Sequence, residues 1–351
     1  MNHEHVQVLN YCTHAIDDLT ELAEAAQTQM PRTASVLRKV MGMLERSTKF
    51  LMPNCGEFID PHDLRQAHLD LARIPYPVVA FEAPWIKESS IEYLGEFKQT
   101  DSTKRIALCW ELSDDFEFLP GINGIGERFP QGGVFVLPIY WTPRSNRWHV
   151  AMGGSFVPYE NQLTILTDKP NLPKSSVDAQ AAVLSAGWAK PSSGQIMLEP
   201  FLALPEFFDE AVEHYGDREK AFTQIILDSR DEVQMYVQAC AVINCQNVGR
   251  VEVPPSASLN KKRQASGKRP FFTYHVLQLN DRTSVHASSA LGGVHSSPRM
   301  HLRRGHIRRL PNKTVWVRHT MVNAGTSEGV VAKDYSLADV PSESPSTRSG
   351  D

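Results

Sequence analysis

Residues 134–152 read VFVLPIYWTPRSNRWHVAM, two runs of apolar and β-favouring residues separated by a polar turn. Trp141 ends the first run and Trp148 begins the second. Between them, Pro143 and Asn146 are residue types that favour turns. The segment therefore predicts a β-hairpin.

Short runs before this hairpin predict further strands. Residues 78–81 (VVAF) and 105–110 (RIALCW) are rich in β-branched and aromatic residues and are too short for buried helices. We expect them to join the hairpin in a mostly antiparallel sheet.

Apolar residues spaced three and four apart predict helices on both sides of these strands. The pattern over 6–52 predicts a helical hairpin divided at Pro31, and 176–186, 207–213 and 220–244 predict later helices. The last is long and strongly apolar, so we expect it to pack against the sheet. The sequence thus predicts an α+β fold with N-terminal helices, a central mostly antiparallel sheet with packed helices, and a basic β-rich C-terminal module.

Composition divides the chain into four parts. We expect a helical segment over 1–75, an α+β body over 76–247, a basic β-rich module over 248–337 and a disordered tail over 338–351. The sequence Val253-Pro254-Pro255-Ser256 is typical of a boundary, and the tail is rich in Ser and Pro.

The overall composition excludes several classes of protein. The chain has 351 residues, of which 41% are hydrophobic and 22% charged, so disorder throughout is excluded. It has no uncharged apolar run near the length of a membrane span and no signal-peptide pattern at its start, so we expect a protein of the cytoplasm with no membrane partner. Its five cysteines form no CxxC pair, and we expect no disulfide framework, metal site or cofactor.

Charge is unevenly distributed along the chain. Between Arg250 and Arg318 there are fourteen Lys and Arg residues against Glu252 and Asp281, whereas the rest of the chain is strongly acidic. Clustered cations displace counterions from a phosphate backbone, so this asymmetry points to nucleic acid, DNA or RNA, as the partner. The alternative is that the basic region docks onto the acidic part of its own chain or of a neighbour.

Two basic segments carry the predicted nucleic-acid site. We expect 258–269 to be a flexible loop that clamps phosphates, and 301–319 to be a hairpin with its turn at 311–313. In the hairpin, either Trp316 or His306 is expected to stack on a base. The residues expected to contact phosphates are Lys261, Lys262, Arg263, Lys268 and Arg269 in the loop and Arg303, Arg304, Arg308, Arg309 and Arg318 in the hairpin. The structural alternative is that the charges of the hairpin prevent its exposed edge strands from pairing with strands of other molecules.

The same hairpin suggests a second function. His301 and His306 could act as acid and base on a ribose 2′-hydroxyl, and Arg308 could stabilise the charge on the phosphate. This combination of side chains is that of a metal-independent ribonuclease. Strand residues five apart point to opposite faces unless a bulge, for which Gly305 is suited, shifts the register. A third hypothesis is an interaction protein whose acidic body binds a host protein while the basic region docks internally.

The C-terminal third also resembles a known group of proteins. The segments concerned are 242–248, 259–263, 267–268, 274–277, the HLRRGHIR sequence at 301–308 and Trp316-Val317. Together these segments are similar to the C-terminal signature of uncharacterised proteins from tailed bacteriophages and prophages. The resemblance implies a phage or mobile-element origin and a bacterial host cytoplasm, and it assigns no catalytic residue. We therefore expect a non-enzymatic accessory protein that binds nucleic acid.

Overall fold

The computed structural model describes residues 8–59, 64–87, 92–112, 124–165, 172–190, 194–279, 301–303, 306–310, 313–317 and 320–322. The predicted tail and the segment 281–300 lie outside these residues.

The N-terminal part forms the predicted helical hairpin. α1 (Tyr11–Ala26) packs against α2 (Pro31–Arg46), and Pro31 occupies the start of α2, where its missing N–H costs no helical hydrogen bond. The helical prediction was wrong at its C-terminal end, because the chain continues as strand β1 (Thr48–Leu51). Pairing with strands that are distant in the sequence determines that residues 48–51 form a strand. The local spacing of apolar residues does not reveal such pairing.

The remaining elements follow in chain order. They are a 3₁₀ turn (Asn54–Gly56), α3 (Gln66–Leu69), β2 (Val78–Pro84), β3 (Tyr93–Leu94), β4 (Phe97–Lys98), β5 (Lys104–Glu111), α4 (Ile125–Arg128), β6 (Gly133–Thr142), β7 (Arg147–Val150), β8 (Gly153–Pro158), β9 (Thr164–Ile165), α5 (Lys174–Ser185), β10 (Gly194–Gln195), β11 (Glu199–Leu202), α6 (Pro205–Tyr215), α7 (Arg218–Ile243), β12 (Val248–Val253), α8 (Ala257–Ala265), β13 (Tyr274–Leu279), β14 (His301–Arg303), β15 (His306–Leu310), β16 (Lys313–Val317) and β17 (Thr320–Val322).

Nine of the described strands form one mixed sheet. Its order is β11-β8-β6-β5-β2-β1-β13-β12, and β7 also pairs with β6. β1 is parallel to β2 and β13, and the other pairs are antiparallel. The fold is therefore α+β, as predicted, and the 134–152 hairpin is confirmed, with Trp141 opposite Trp148. The sheet takes strands from 1–75, 76–247 and 248–337, so three of the four predicted parts share it.

Both faces of the sheet are covered. In β2, Val78 and Ala80 pack on the side of α1 and α2, whereas Val79, Phe81 and Ala83 pack on the side of α7. This explains why the central strands are continuous apolar runs, since a strand between two layers buries both of its faces. The core thus consists of a helical hairpin, the sheet and the long helix α7. Within the described residues no helix is long and apolar enough to cross a bilayer.

Two buried charges attach the helical hairpin to the sheet. The carboxylate of Glu82 accepts hydrogen bonds from the backbone N–H groups of Tyr11 (2.9 Å) and Cys12 (2.6 Å), the first residues of α1, and from the hydroxyl of Tyr274 (2.6 Å). At the other end, the ammonium group of Lys49 donates to the carbonyl oxygen of Leu44 at 2.7 Å, in the last turn of α2. An anion at a helix N-terminus and a cation at a C-terminus both complement the helix dipole. Glu82 and Lys49 therefore fix the hairpin on neighbouring strands.

Candidate functional site

Residues 258–265 of the predicted clamp loop form most of a helix, so the loop prediction was wrong for this part. α8 begins after Ser256, whose hydroxyl accepts a hydrogen bond from the backbone N–H of Leu259 at 3.4 Å. No residue of α8 is buried. The side chain of Asn260 attaches the helix to the body, because it donates to the carbonyl oxygen of Phe271 at 3.0 Å and accepts from the N–H of Phe271 at 2.8 Å.

Two of the predicted phosphate contacts are turned toward the body. The guanidinium group of Arg263 lies 4.0 Å from the ring centre of Phe271 and donates to the carbonyl oxygen of Arg269 at 2.7 Å. Arg269 in turn pairs with Glu45 of α2 and lies 3.6 Å from Asp17 of α1. The alternative of internal docking on acidic residues therefore holds for Arg263 and Arg269, which are poorly placed for phosphate.

Three predicted contacts remain accessible. Lys261, Lys262 and Lys268 are exposed. No carboxylate of the described residues lies within 4.0 Å of their ammonium groups. On the neighbouring edge strand β12, Arg250 is also exposed and lies over the ring of Tyr76. The described part of the basic region thus presents a cationic surface around α8 and the β12 edge.

The C-terminal hairpin is present with an unshifted register. His306 pairs with Val317, and on the other side of residues 304–305 Arg303 pairs with Thr320. Two residues on each strand separate these pairs, so the described pairs on the two sides keep one register, and the bulge considered at Gly305 lies outside the described residues. Of the predicted site residues, Arg304 and Arg318 lie outside the described residues. The side chains of His301, Arg303, His306, Arg308 and Arg309 lie outside them as well.

Trp316 is not available to stack on a base, so of the two stacking alternatives, Trp316 and His306, the first was wrong. Trp316 is 5% exposed and packs in the core layer that contains α7, where Ile307 lies against the same cluster. Its backbone N–H donates to the side-chain oxygen of Asn247 at 2.7 Å, and its carbonyl oxygen accepts from the Asn247 amide at 2.7 Å. Trp316 therefore anchors the hairpin to the body.

A second candidate site is a cleft that the sequence analysis missed. It has a volume of about 560 Å³ and lies between α7 and the segments beside β2 and β5. Its walls include Trp85, Lys87, Thr100, Asp101, Arg105, Trp188, Asp228, Arg230 and Asp231.

Ion pairs fix one side of this cleft. The buried guanidinium of Arg105 lies 3.1 Å from Glu232 and 3.2 Å from Asp231, and its Nε donates to the hydroxyl of Ser102 at 2.7 Å. Lys87 lies 3.2 Å from Asp231. Burial disfavours ionisation of Asp231, but Arg105 and Lys87 hold its pKa below the ordinary value. This side of the cleft is therefore a rigid group of compensated charges.

Asp228 differs from its neighbours. One of its oxygens accepts from the side-chain amide of Gln224 at 2.9 Å and from the hydroxyl of Thr100 at 3.4 Å. No Lys, Arg or His of the described residues lies within ion-pair distance of it. Burial raises the pKa of Asp228 to about 7 and likewise that of Glu232 to about 7. A carboxyl group that titrates near neutrality and faces a cleft is a feature of ligand-binding and catalytic sites.

An apolar pocket adjoins the cleft. It has a volume of about 200 Å³ between α5 and α7 and is lined by Val183, Leu184, Ile226 and Val233 among others. Trp188, Leu227 and Arg230 line both spaces. Within the described residues, no group of three His, Cys, Asp or Glu side chains is placed to hold a metal ion.

One signal in the sequence could have located the cleft. Residues 228–232 read DSRDE, four charged residues within a helix that is otherwise strongly apolar. Because charges on a buried helix are expensive unless they are paired or functional, such a cluster marks a place to look for a site.

Comparison of the chain with protein-family models, with curated proteins and with solved structures finds no match.

Proposed function

We propose that this chain is a phage or mobile-element accessory protein that binds nucleic acid in the bacterial cytoplasm and carries out no chemistry at its basic surface. The observation that carries the proposal is α8. None of its residues is buried, and its lysines are exposed and have no carboxylate partner within the described residues.

The position of α8 supports a continuous contact surface. α8 is attached on the side of α1 and α2 through Arg269, whereas the C-terminal hairpin is attached on the opposite side of the sheet through Trp316. The edge strand β12, with exposed Arg250, begins directly after Asn247, which bonds the hairpin, and leads into the segment that begins α8. A phosphate backbone that follows this edge would meet α8, then Arg250, then the arginine-rich strands.

The residues that contact phosphate in this proposal are Lys261, Lys262 and Lys268, with Arg303, Arg304, Arg308, Arg309 and Arg318 retained from the sequence analysis. Arg263, Arg269 and Trp316 are assigned to attachment of the two segments. The choice between DNA and RNA is left to the experiment.

The test is binding of labelled single- and double-stranded DNA and RNA, measured by fluorescence anisotropy over a series of salt concentrations. The variant replaces Lys261, Lys262 and Lys268 by Gln. Each lost phosphate contact lowers the salt slope by about 0.7 to 0.9, so we expect the slope to fall by about 2 to 3 with a clear loss of affinity.

A matched control removes the same charge elsewhere. Lys98, Arg144 and Lys174 are exposed and distant in sequence from the basic region, and their replacement by Gln should leave the slope unchanged. The proposal would be refuted if the triple lysine variant bound nucleic acid as tightly as the unmodified protein. An equal loss of affinity in the control variant would also refute it.

The ribonuclease with His301, His306 and Arg308 remains a prediction. The unshifted register gives no support to the bulge that would bring the two histidines to one face. The same samples test it, because RNA cleavage that persists in EDTA and is lost in His306→Ala would establish the activity.

A further inference from the structure

The apolar pocket beside the cleft lies between matching faces of two helices. On α5 its lining residues are spaced three and four apart from Ser176 to Leu184, and on α7 they follow the same spacing from Ile226 to Val237. Residues at this spacing share one face of a helix. Each helix therefore directs one stripe of side chains into a narrow space that runs along the pair.

This space is too large to be a packing defect. Close-packed protein interiors leave few voids larger than a water molecule, whereas the pocket has a volume of about 200 Å³. Its described walls are mostly aliphatic. Apolar cavities of this size stay free of water and take up apolar molecules. The pocket therefore favours an apolar occupant.

Arg230 adds one positive charge to the pocket. It is the only charged residue among the described residues of the lining. Its guanidinium lies 5.3 Å from the ring centre of Trp188 and has no carboxylate of the described residues within 4.0 Å. The next residue, Asp231, is paired with Arg105 and Lys87. The planar fork of Arg230 is therefore available to bind an anion.

The position of Arg230 separates a charged end from an apolar end. With Trp188 and Leu227 it lines both the pocket and the cleft, whereas Val233 and Val237 line the pocket alone. From Arg230 to Val237 the helix axis advances about 10 Å. An anionic group at Arg230 thus stays at the opening to the cleft while an apolar chain extends along α7 toward Val237.

From these features we infer that the pocket binds an unbranched aliphatic monocarboxylate, a medium-chain fatty acid. A cavity of about 150 Å³ admits benzene with its six carbons, so the volume of about 200 Å³ corresponds to about eight carbons. The carboxylate pairs with Arg230, and the chain lies between the stripes of α5 and α7. A single guanidinium matches the single charge of this ligand. The inference is independent of nucleic-acid binding.

The test is isothermal titration calorimetry of the full chain with octanoate, 1-octanol and butyrate. 1-Octanol has the same chain without the charge, and its loss of a charge-assisted hydrogen bond should weaken binding about tenfold to a hundredfold relative to octanoate. Butyrate has the same charge and four fewer carbons. Each lost methylene weakens binding about fourfold, so butyrate should bind about two hundredfold more weakly.

A charge variant tests the role of Arg230. Arg230→Gln should weaken octanoate binding about tenfold or more and leave 1-octanol binding unchanged, so the preference for the acid is lost. A merely structural role would weaken both ligands alike. The matched control is Arg218→Gln on the same helix, because Arg218 is exposed, lies 4.9 Å from the ring centre of Phe208 and is outside the pocket.

A second variant fills the pocket. Ala179 is 2% exposed and belongs to the lining on α5. Ala179→Leu places three further carbons in the space and should weaken octanoate and 1-octanol binding alike, about tenfold or more. Its control is Ala181→Leu, at an exposed position of the same helix outside the lining. Circular dichroism confirms that each variant is folded, and Arg230→Gln with its control decides alone if Ala179→Leu does not fold.

The outcomes separate clearly. Absence of octanoate binding to the unmodified protein would overturn the inference. Equal affinity for octanoate and 1-octanol would also overturn it, because Arg230 would then recognise nothing. Octanoate binding that is unchanged in Arg230→Gln and in Ala179→Leu would place the ligand elsewhere and overturn it as well. Binding that both pocket variants weaken and both controls preserve would support it.

Discussion

Replacing Glu82 tests whether one buried carboxylate holds the N-terminal helices on the sheet. Glu82 has no exposed surface, and its carboxylate receives hydrogen bonds from two backbone amides of α1 and from the hydroxyl of Tyr274 on β13. Burial raises the pKa of Glu82, and the hydrogen bonds from Cys12 and Tyr274 oppose this shift. The side chain thus joins three elements that are far apart in the sequence.

The magnitude follows from the number of donors. In Glu82→Gln one acceptor oxygen becomes an NH₂ group, so the remaining oxygen can serve at most two of the three donors. One buried donor without a partner costs about 1–3 kcal/mol. Glu82→Ala leaves all three without a partner, and at about 1 kcal/mol for each the free energy of unfolding should fall by about 3 kcal/mol or more.

Urea denaturation followed by tryptophan fluorescence measures the change. The matched control is Glu24→Gln, an exposed glutamate on α1. Hydrogen exchange adds a local readout, because the amide protons of Tyr11 and Cys12 should exchange faster in Glu82→Gln. Equal unfolding midpoints for Glu82→Gln and Glu24→Gln, with these two amides still protected, would refute the reasoning.

The cleft, the hairpin and α8 each provide a further test. Because the pKa of Asp228 is raised from 3.8 to about 7, the folded state holds a proton that the unfolded state releases, and stability should fall as pH rises through this range. Asp228→Asn should reduce that fall in urea midpoints measured at pH 5 and pH 8; Glu232, with its similarly raised pKa, should retain part of it. Trp316→Ala should cost about 3–5 kcal/mol and expose the C-terminal hairpin to limited proteolysis, whereas an accessible Trp316 would leave the digestion pattern unchanged. Arg269→Gln should lower stability by about 1 kcal/mol or less and leave the salt slope of nucleic-acid binding unaltered, and a slope reduced as much as by the lysine variants would contradict its assignment.

The sequence predicted the parts of the fold that local pattern determines. The helices over 11–26 and 31–46, the hairpin at Trp141 and Trp148 and the long helix α7 were all expected from apolar spacing and turn residues. These elements have strong periodicity, so each carries its own evidence.

Pairing between distant segments was the part that could not be predicted. β1 is four residues long and forms only because β2 and β13 lie on its two sides. The cleft has the same origin, since Arg105 comes from β5 while Asp228 and Asp231 come from α7. A single sequence shows that such residues exist and does not show that they meet.

The basic region shows how one wrong assignment of secondary structure altered the interpretation of a site. As a loop, residues 258–269 have no fixed faces, so all of their cations are equally available to phosphate. As a helix, Asn260 and Arg263 are three residues apart and therefore share one face, and both contact the segment that includes Phe271. Lys261 and Lys262 lie off that face and are exposed. The charge asymmetry of the sequence was compatible with internal docking or with nucleic acid because α8 has residues for both: one face attaches it to the acidic helices, and the other leaves its lysines free to bind.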